Sequence, residues 1–156
     1  MAQVIRMTEA LDQVKSVAKT SLGPAIGELA GRMGRRGIVI ILSDAFADLD
    51  DLDSALQRLR YEKQEVVLLQ VLHHDEIHFD MGGMIRFRGL EDEDHIITRP
   101  DDIRAGYLAA YGRFDQRLRE VCDANHCERL VCDTSRPISE LLADYLHQRT
   151  RIHRRW

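Results

Sequence analysis

Ser43-Asp44 closes the apolar run Gly37-Ile-Val-Ile-Ile-Leu42, and five of the ten residues from Asp44 to Asp53 are aspartate. A buried parallel strand that ends in a carboxylate delivers it to the carboxyl edge of a sheet, where open α/β folds hold their ligands. Asp44 with the Ser43 hydroxyl is therefore the first candidate for chemistry. A hard cation such as magnesium takes oxygen ligands and usually needs more than one protein group. Thr20 offers a further hydroxyl, and Asp48, Asp50, Asp51 and Asp53 raise the local negative potential. The competing account is structural: Asp44 caps its loop, Asp50 or Asp51 caps the next helix, and Thr20 is a helix cap as well.

Two other groups contain metal-ligating residue types. The run His73-His74-Asp75-Glu76-Ile77-His78 is not read as the helical His-Glu-x-x-His zinc pattern, because no strong helix is implied there. Following a strand as it does, it is expected to be a surface loop. Cys122, Cys127 and Cys132 are separated by four residues each, with His126 among them. Zinc knuckles usually use gaps of two to four residues, but here one helix end and the two ends of a strand do not converge, so these thiols are expected in the core. None of them stands beside a base that would make it a nucleophile.

Other signatures are missing. Gly34-x-x-Gly37 precedes a strand, whereas phosphate-binding glycines follow one; Gly82-Gly83 reads as a turn; no Gly-x-Ser-x-Gly elbow is present. A formal charge of -4 announces no polyanionic partner, and the basic tail Arg149–Trp156 is short enough to be an ordinary solvated, frayed terminus. No nucleic-acid partner is expected. No run of 18 apolar residues marks a membrane span, and the first residues lack a basic segment followed by an apolar one. Three cysteines cannot form a complete set of internal disulfides, which favours free thiols and a cytoplasmic setting.

The elements that must position these residues follow from periodicity. Met7, Leu11, Val14 and Ala18 recur at helical spacing, as do Leu22, Ile26, Leu29 and Met33, with Thr20-Ser21 as a cap between the two helices. Ile38–Ser43 and Glu65–Leu72 are apolar strands, and Leu52, Ala55, Leu56 and Leu59 form the stripe of the helix between them. Strand, helix and strand in that order make a βαβ unit with a right-handed crossover. Met84–Arg88 and His95–Thr98 flank the acidic turn Leu90–Asp94 and read as a hairpin at the sheet edge. A long helix begins at Pro100–Asp102 and should bury Ile103, Tyr107, Tyr111, Phe114, Leu118 and Val121. Cys127–Cys132 is a third strand, and Pro137 opens a last helix with Ile138, Leu141, Leu142, Tyr145 and Leu146. At 156 residues the whole is one domain. Because helices precede the first strand, one side of Ile38–Leu42 is expected to lie open, and an apolar edge invites a second copy of the chain.

From about Thr20 to Arg149 the chain resembles the carboxyl-terminal part of the DUF58 family, whose members contain a von Willebrand factor A-like domain. The resemblance rests on Arg36-Gly-Ile-Val-Ile-Ile-Leu-Ser-Asp44, the helix Leu52–Arg60, and Glu65–Leu72 followed by Asp75-Glu76-Ile77-His78-Phe79. It continues through Phe87, Leu90-Glu91, Tyr107, Asp133-Thr134-Ser-Arg-Pro137 and Leu141-Leu142-Ala-Asp-Tyr145-Leu146. It implies an α/β, Rossmann-like, mostly parallel sheet with flanking helices, in a single partial von Willebrand factor A-like domain over residues 1–156. Residues 1–19 would be a leading helix and 149–156 a basic tail.

In complete domains of that type a metal-ion-dependent adhesion site combines an Asp-x-Ser-x-Ser loop, a Thr and an Asp. Asp44 matches that Asp and Thr20 the Thr, whereas the Asp-x-Ser-x-Ser loop and the strands around it have no counterpart. Magnesium or manganese is thus expected of a complete relative, and no cofactor of this chain. Family members are often encoded near MoxR-type AAA+ ATPases and are thought to act as their adaptors. The resemblance therefore implies a non-catalytic interaction domain with Asp48, Asp50, Asp51 and Thr134 along its rim, while the expectation of a homo-oligomer rests on the open edge of Ile38–Leu42. The alternative is a small metal-dependent hydrolase with Asp44 as ligand or nucleophile and His73 or His74 as base.

Overall fold

The computed structural model describes residues 2–14, 22–33, 36–89 and 95–153. Thr20, Ser21, Ala18 and the acidic turn Leu90–Asp94 lie outside the described residues, as do Arg154, Arg155 and Trp156. The elements run α1 (Ala2–Gln13), α2 (Leu22–Arg32), β1 (Ile38–Ser43), α3 (Leu49–Tyr61), β2 (Glu65–Leu72), α4 (His74–His78), β3 (Ile85–Arg88), β4 (His95–Thr98), α5 (Pro100–Ala124), β5 (Cys127–Asp133) and α6 (Ile138–His153). Strands β1, β2 and β5 form a parallel sheet in the order β1-β2-β5. The arrangement is a Rossmann-like α/β fold.

The centre of the sheet is nearly continuous apolar sequence because both of its faces are covered. On one face Val39 and Ile41 of β1 and Val66 and Leu68 of β2 meet Ile26 and Ala30 of α2, the α3 stripe Leu52, Ala55, Leu56 and Leu59, and Leu118, Val121 and Cys122 of α5. On the other, Val67, Leu69 and Cys132 pack against Leu130 and against Leu141 and Tyr145 of α6. Each fully buried leucine contributes about 1.5–3 kcal/mol relative to an exposed one. Helices α2 and α3 approach closely at Gly23, where an added Cβ would stand 2.8 Å from the Cβ of Asp51.

Several expectations are corrected. The helix cap of α3 is Asp48, whose carboxylate accepts from the amides of Asp50 and Asp51 at 2.9 and 3.1 Å; neither Asp50 nor Asp51 is the cap. The β3–β4 hairpin pairs only with itself and is a separate two-stranded sheet. Ile103 is exposed, Tyr107, Tyr111 and Phe114 are half-buried, and Leu118 and Val121 are buried as read. The backbone of α6 continues helical through His153, so most of the basic tail is helix. α1 buries none of its residues, and Met7, Leu11 and Val14 are exposed.

β1 is an edge strand, as its position after two helices suggests. Its odd face is buried and its even face is not: Ile38, Ile40 and Leu42 are 57%, 58% and 70% exposed. Ile40 is in register with Val67 and Leu42 with Leu69, so these side chains continue the surface that α6 covers over β2 and β5. A helix about 10 Å across spans roughly two strands spaced about 4.8 Å apart. The third strand stays bare.

Candidate functional site

The carboxyl ends of the three strands hold the groups singled out by sequence, in two separate clusters. At the tip of β1, Asp44 Oδ1 accepts from the amide of Phe46 at 3.1 Å and faces the Ser43 hydroxyl at 3.4 Å. Ser43 Oγ in turn accepts from the amide of Ala45 at 3.1 Å. Ala45 has φ 62° with its methyl group fully buried, so this tight turn is held by both side chains and by packing. Asp44 is exposed, and the described residues bring it one hydroxyl and no second carboxylate by hydrogen bond. Asp48 is engaged as a cap, Asp50 lies 3.5 Å from Arg117, and Asp51 is exposed.

Behind this tip sits a polar residue that the sequence reading passed over. Gln70, fully buried in β2, donates to the carbonyl of Asp44 at 3.0 Å and accepts two bonds from the Arg129 guanidinium at 3.0 and 2.6 Å. Arg129 also pairs with Asp115 of α5. Every member has a partner, as a buried polar network requires, and the network ties β1, β2, β5 and α5 together.

The second cluster lies past β2. Residues 73–79 are not the expected loop: they hold the short helix α4. His73 caps it, accepting from the amide of Asp75 at 3.2 Å, while Glu76 accepts from the amide of His73 at 2.6 Å. Phe79, with φ 50°, ends it. The Tyr107 hydroxyl donates to the carbonyl of Glu76 at 2.8 Å, and Phe79 stacks on Tyr107 with ring centroids 4.3 Å apart. α4 is thereby anchored on α5.

This places His74 against the end of β5. Leu72 is in register with Asp133, and the amide of Thr134 donates to the carbonyl of Leu72 at 2.9 Å. His74 Nδ1 stands 3.1 Å from Asp133 Oδ2. The amide of Ser135 donates to Asp133 Oδ1 at 2.8 Å, and the bonds from Ser135 and His74 hold the Asp133 carboxyl down at about 2, so it is ionised at neutral pH. His78, one helical turn beyond His74, brings its ring centroid to 4.4 Å from that of His74. One ligand atom from each of His74, His78 and Asp133 lies within 4.8 Å of the others. His78 is exposed, and an open hollow of about 490 Å³ adjoins the group, with Arg104 and Asp80 on its wall 3.3 Å apart. A sequence signal for part of this existed in the four-residue interval from His74 to His78; nothing local pointed to Asp133.

The thiols are free and buried. Cys122 and Cys127 meet through a hydrogen bond across α5 and β5, and that bond together with burial pushes the Cys127 thiol up. Cys132 belongs to the opposite face. Neither His73 nor His74 bonds to Asp44: His73 caps α4 and His74 is taken by Asp133. No described helix is long and apolar enough to cross a membrane.

No curated protein and no solved structure matches the chain. The family model described as "Protein of unknown function DUF58" matches residues 1–117, which include β1, β2, α4 and most of α5 but not Asp133. That match covers three quarters of the sequence, and the chain belongs to the DUF58 family.

Proposed function

We propose that the protein is a non-catalytic interaction or adaptor domain whose docking surface is the bare face and free edge of β1. The observation that carries this reading is the row Ile38, Ile40 and Leu42, exposed on a strand with no charge, proline or bulge to discourage pairing. The occupant is a second copy of the chain. Two β1 edges related by a twofold axis run antiparallel and join two three-stranded sheets into one of six, while each apolar row gains cover from the partner.

In this reading the chain is a partial von Willebrand factor A-like domain working in the cytoplasm with a MoxR-type AAA+ ATPase, as the family resemblance implies. Asp44, Asp48, Asp50, Asp51 and Thr134 are exposed at the same end of the sheet and form the rim offered to that second partner. Any hard cation there would take Asp44 and Ser43 as ligands and complete its shell with water or a partner's carboxylate. The hydrolase alternative draws no support from the geometry, because the histidines that would serve Asp44 are engaged elsewhere.

Light scattering across a concentration series tests the self-association. A dimer that Ile40→Lys converts to a monomer, with an unchanged circular dichroism spectrum, is the expected result. A wild-type monomer at all concentrations would remove the second copy as occupant. Binding of the purified ATPase to wild type, weakened by charge reversal at Asp50 and Asp51, is the corresponding result for the adaptor role.

A further inference from the structure

His74, His78 and Asp133 meet although nothing in the packing of the core requires all three to do so. The first two come from α4 and the third from the end of β5, 59 positions along the chain from His74. The bond between His74 and Asp133 would be complete as an ordinary histidine–carboxylate pair. His78 adds nothing to that bond, yet its ring nitrogen falls within 4.8 Å of both partners.

We propose that these three residues form a binding site for a divalent transition metal of the zinc type, with one coordination position open to solvent. The donor set supports the class. Two imidazoles and one carboxylate suit zinc and its first-row neighbours, whereas magnesium and calcium prefer all-oxygen shells. The dimensions fit as well. Zinc bonds of about 2.0–2.1 Å in a tetrahedron put neighbouring ligand atoms about 3.3 Å apart. His74 Nδ1 and Asp133 Oδ2 already stand at 3.1 Å, and because a ligand atom of each of the three lies within 4.8 Å of the others, a His78 side-chain adjustment of at most about 1.5 Å closes the set.

The frame around the site is built to hold two of the three ligands. The Tyr107 hydroxyl fixes α4, the Thr134 amide fixes β5 against β2, and the Ser135 amide takes the other oxygen of Asp133. Such supporting bonds orient metal ligands and raise affinity. His74 and His78 line the hollow beside Arg104, so three protein ligands leave room there for water or an anion, as in sites that are not purely structural.

The acid that would serve a hydrolytic zinc site is out of place. Residue 75, directly after His74, is aspartate and lies 3.4 Å from His73, while Glu76 is used in the cap of α4. The site therefore binds metal without a placed general base. This inference does not rest on the β1 interface, whose residues lie at the other edge of the sheet.

The test is calorimetric titration of the chelator-treated 156-residue chain with zinc, followed by cobalt for its visible spectrum. One equivalent of each should bind, cobalt with an imidazole-type spectrum and magnesium in excess without competing. His78→Ala removes an exposed side chain and should keep the circular dichroism spectrum while weakening zinc by more than about tenfold, the scale of losses seen when even a supporting group is removed. Asp133→Asn should do likewise, and His147→Ala, on the exposed surface of α6, should bind as wild type does. Absence of zinc binding by the wild type, or equal binding by His78→Ala, would overturn the proposal.

Discussion

His74 and Asp133 stand 3.1 Å apart at the ends of neighbouring parallel strands, and they join the segment after β2 to the end of β5. The sheet creates that proximity. Parallel neighbours finish at the same edge, so residues just past their ends are brought side by side whatever their distance in sequence. Asp44 ends β1 at the same edge, but it is occupied with its own turn.

The two faces of β1 and its covering helix predict opposite responses to truncation. Leu56→Ala in α3 empties a fully buried position and should cost about 2–5 kcal/mol in denaturant unfolding. Ile40→Ala, on the exposed face, should cost less than about 0.5 kcal/mol in the monomer. A large loss for Ile40→Ala that disappears on dilution would locate the cover of that face in another copy.

Tyr145 should titrate late. Burial and the hydrogen bond that its hydroxyl donates to Glu128 at 2.6 Å raise it to about 12. Because the folded value lies above the ordinary value near 10, the contribution to stability is complete below about pH 10 and is lost as pH rises towards 12. Tyrosinate absorbance followed against pH should show Tyr145 among the late groups, beside Tyr107 and Tyr111, which burial also raises, and Glu128→Gln should move only the Tyr145 component earlier. Unchanged titration in that variant would sever the link to Glu128.

Asp44 provides the remaining check on cation binding at the β1 tip. Magnesium or manganese titrated into wild type and Asp44→Ala should show weak binding present only in the wild type, strengthened when an acidic partner supplies a ligand. Identical heats in both proteins would leave Asp44 as a turn residue alone. Its role in the turn predicts some loss of stability in Asp44→Ala, about 1 kcal/mol for one lost local hydrogen bond.

Much of the fold was legible in order of chain. Ile38–Ser43 and Glu65–Leu72 announced themselves as strands through continuous apolar residues, and Leu52, Ala55, Leu56 and Leu59 as the face of a helix, because local periodicity records which side of an element is buried. The family was legible as well, and the matching stretch, residues 1–117, contains both of these strands and the helix between them. Less visible was α4, only five residues long, whose start depends on a histidine cap in place of the usual serine or aspartate.

By itself, then, the sequence determined an α/β chain with three buried-type strands, cysteines in the core and a carboxylate at a strand tip. Only the tertiary structure decided the order β1-β2-β5, the separation of the β3–β4 hairpin from the main sheet, and the meeting of His74, His78 and Asp133. It also settled that Gln70 and Arg129 would be buried together and that the even face of β1 would be bare. These outcomes depend on which elements become neighbours, which is fixed by contacts between residues far apart in the chain. Periodicity within a single element carries no record of them.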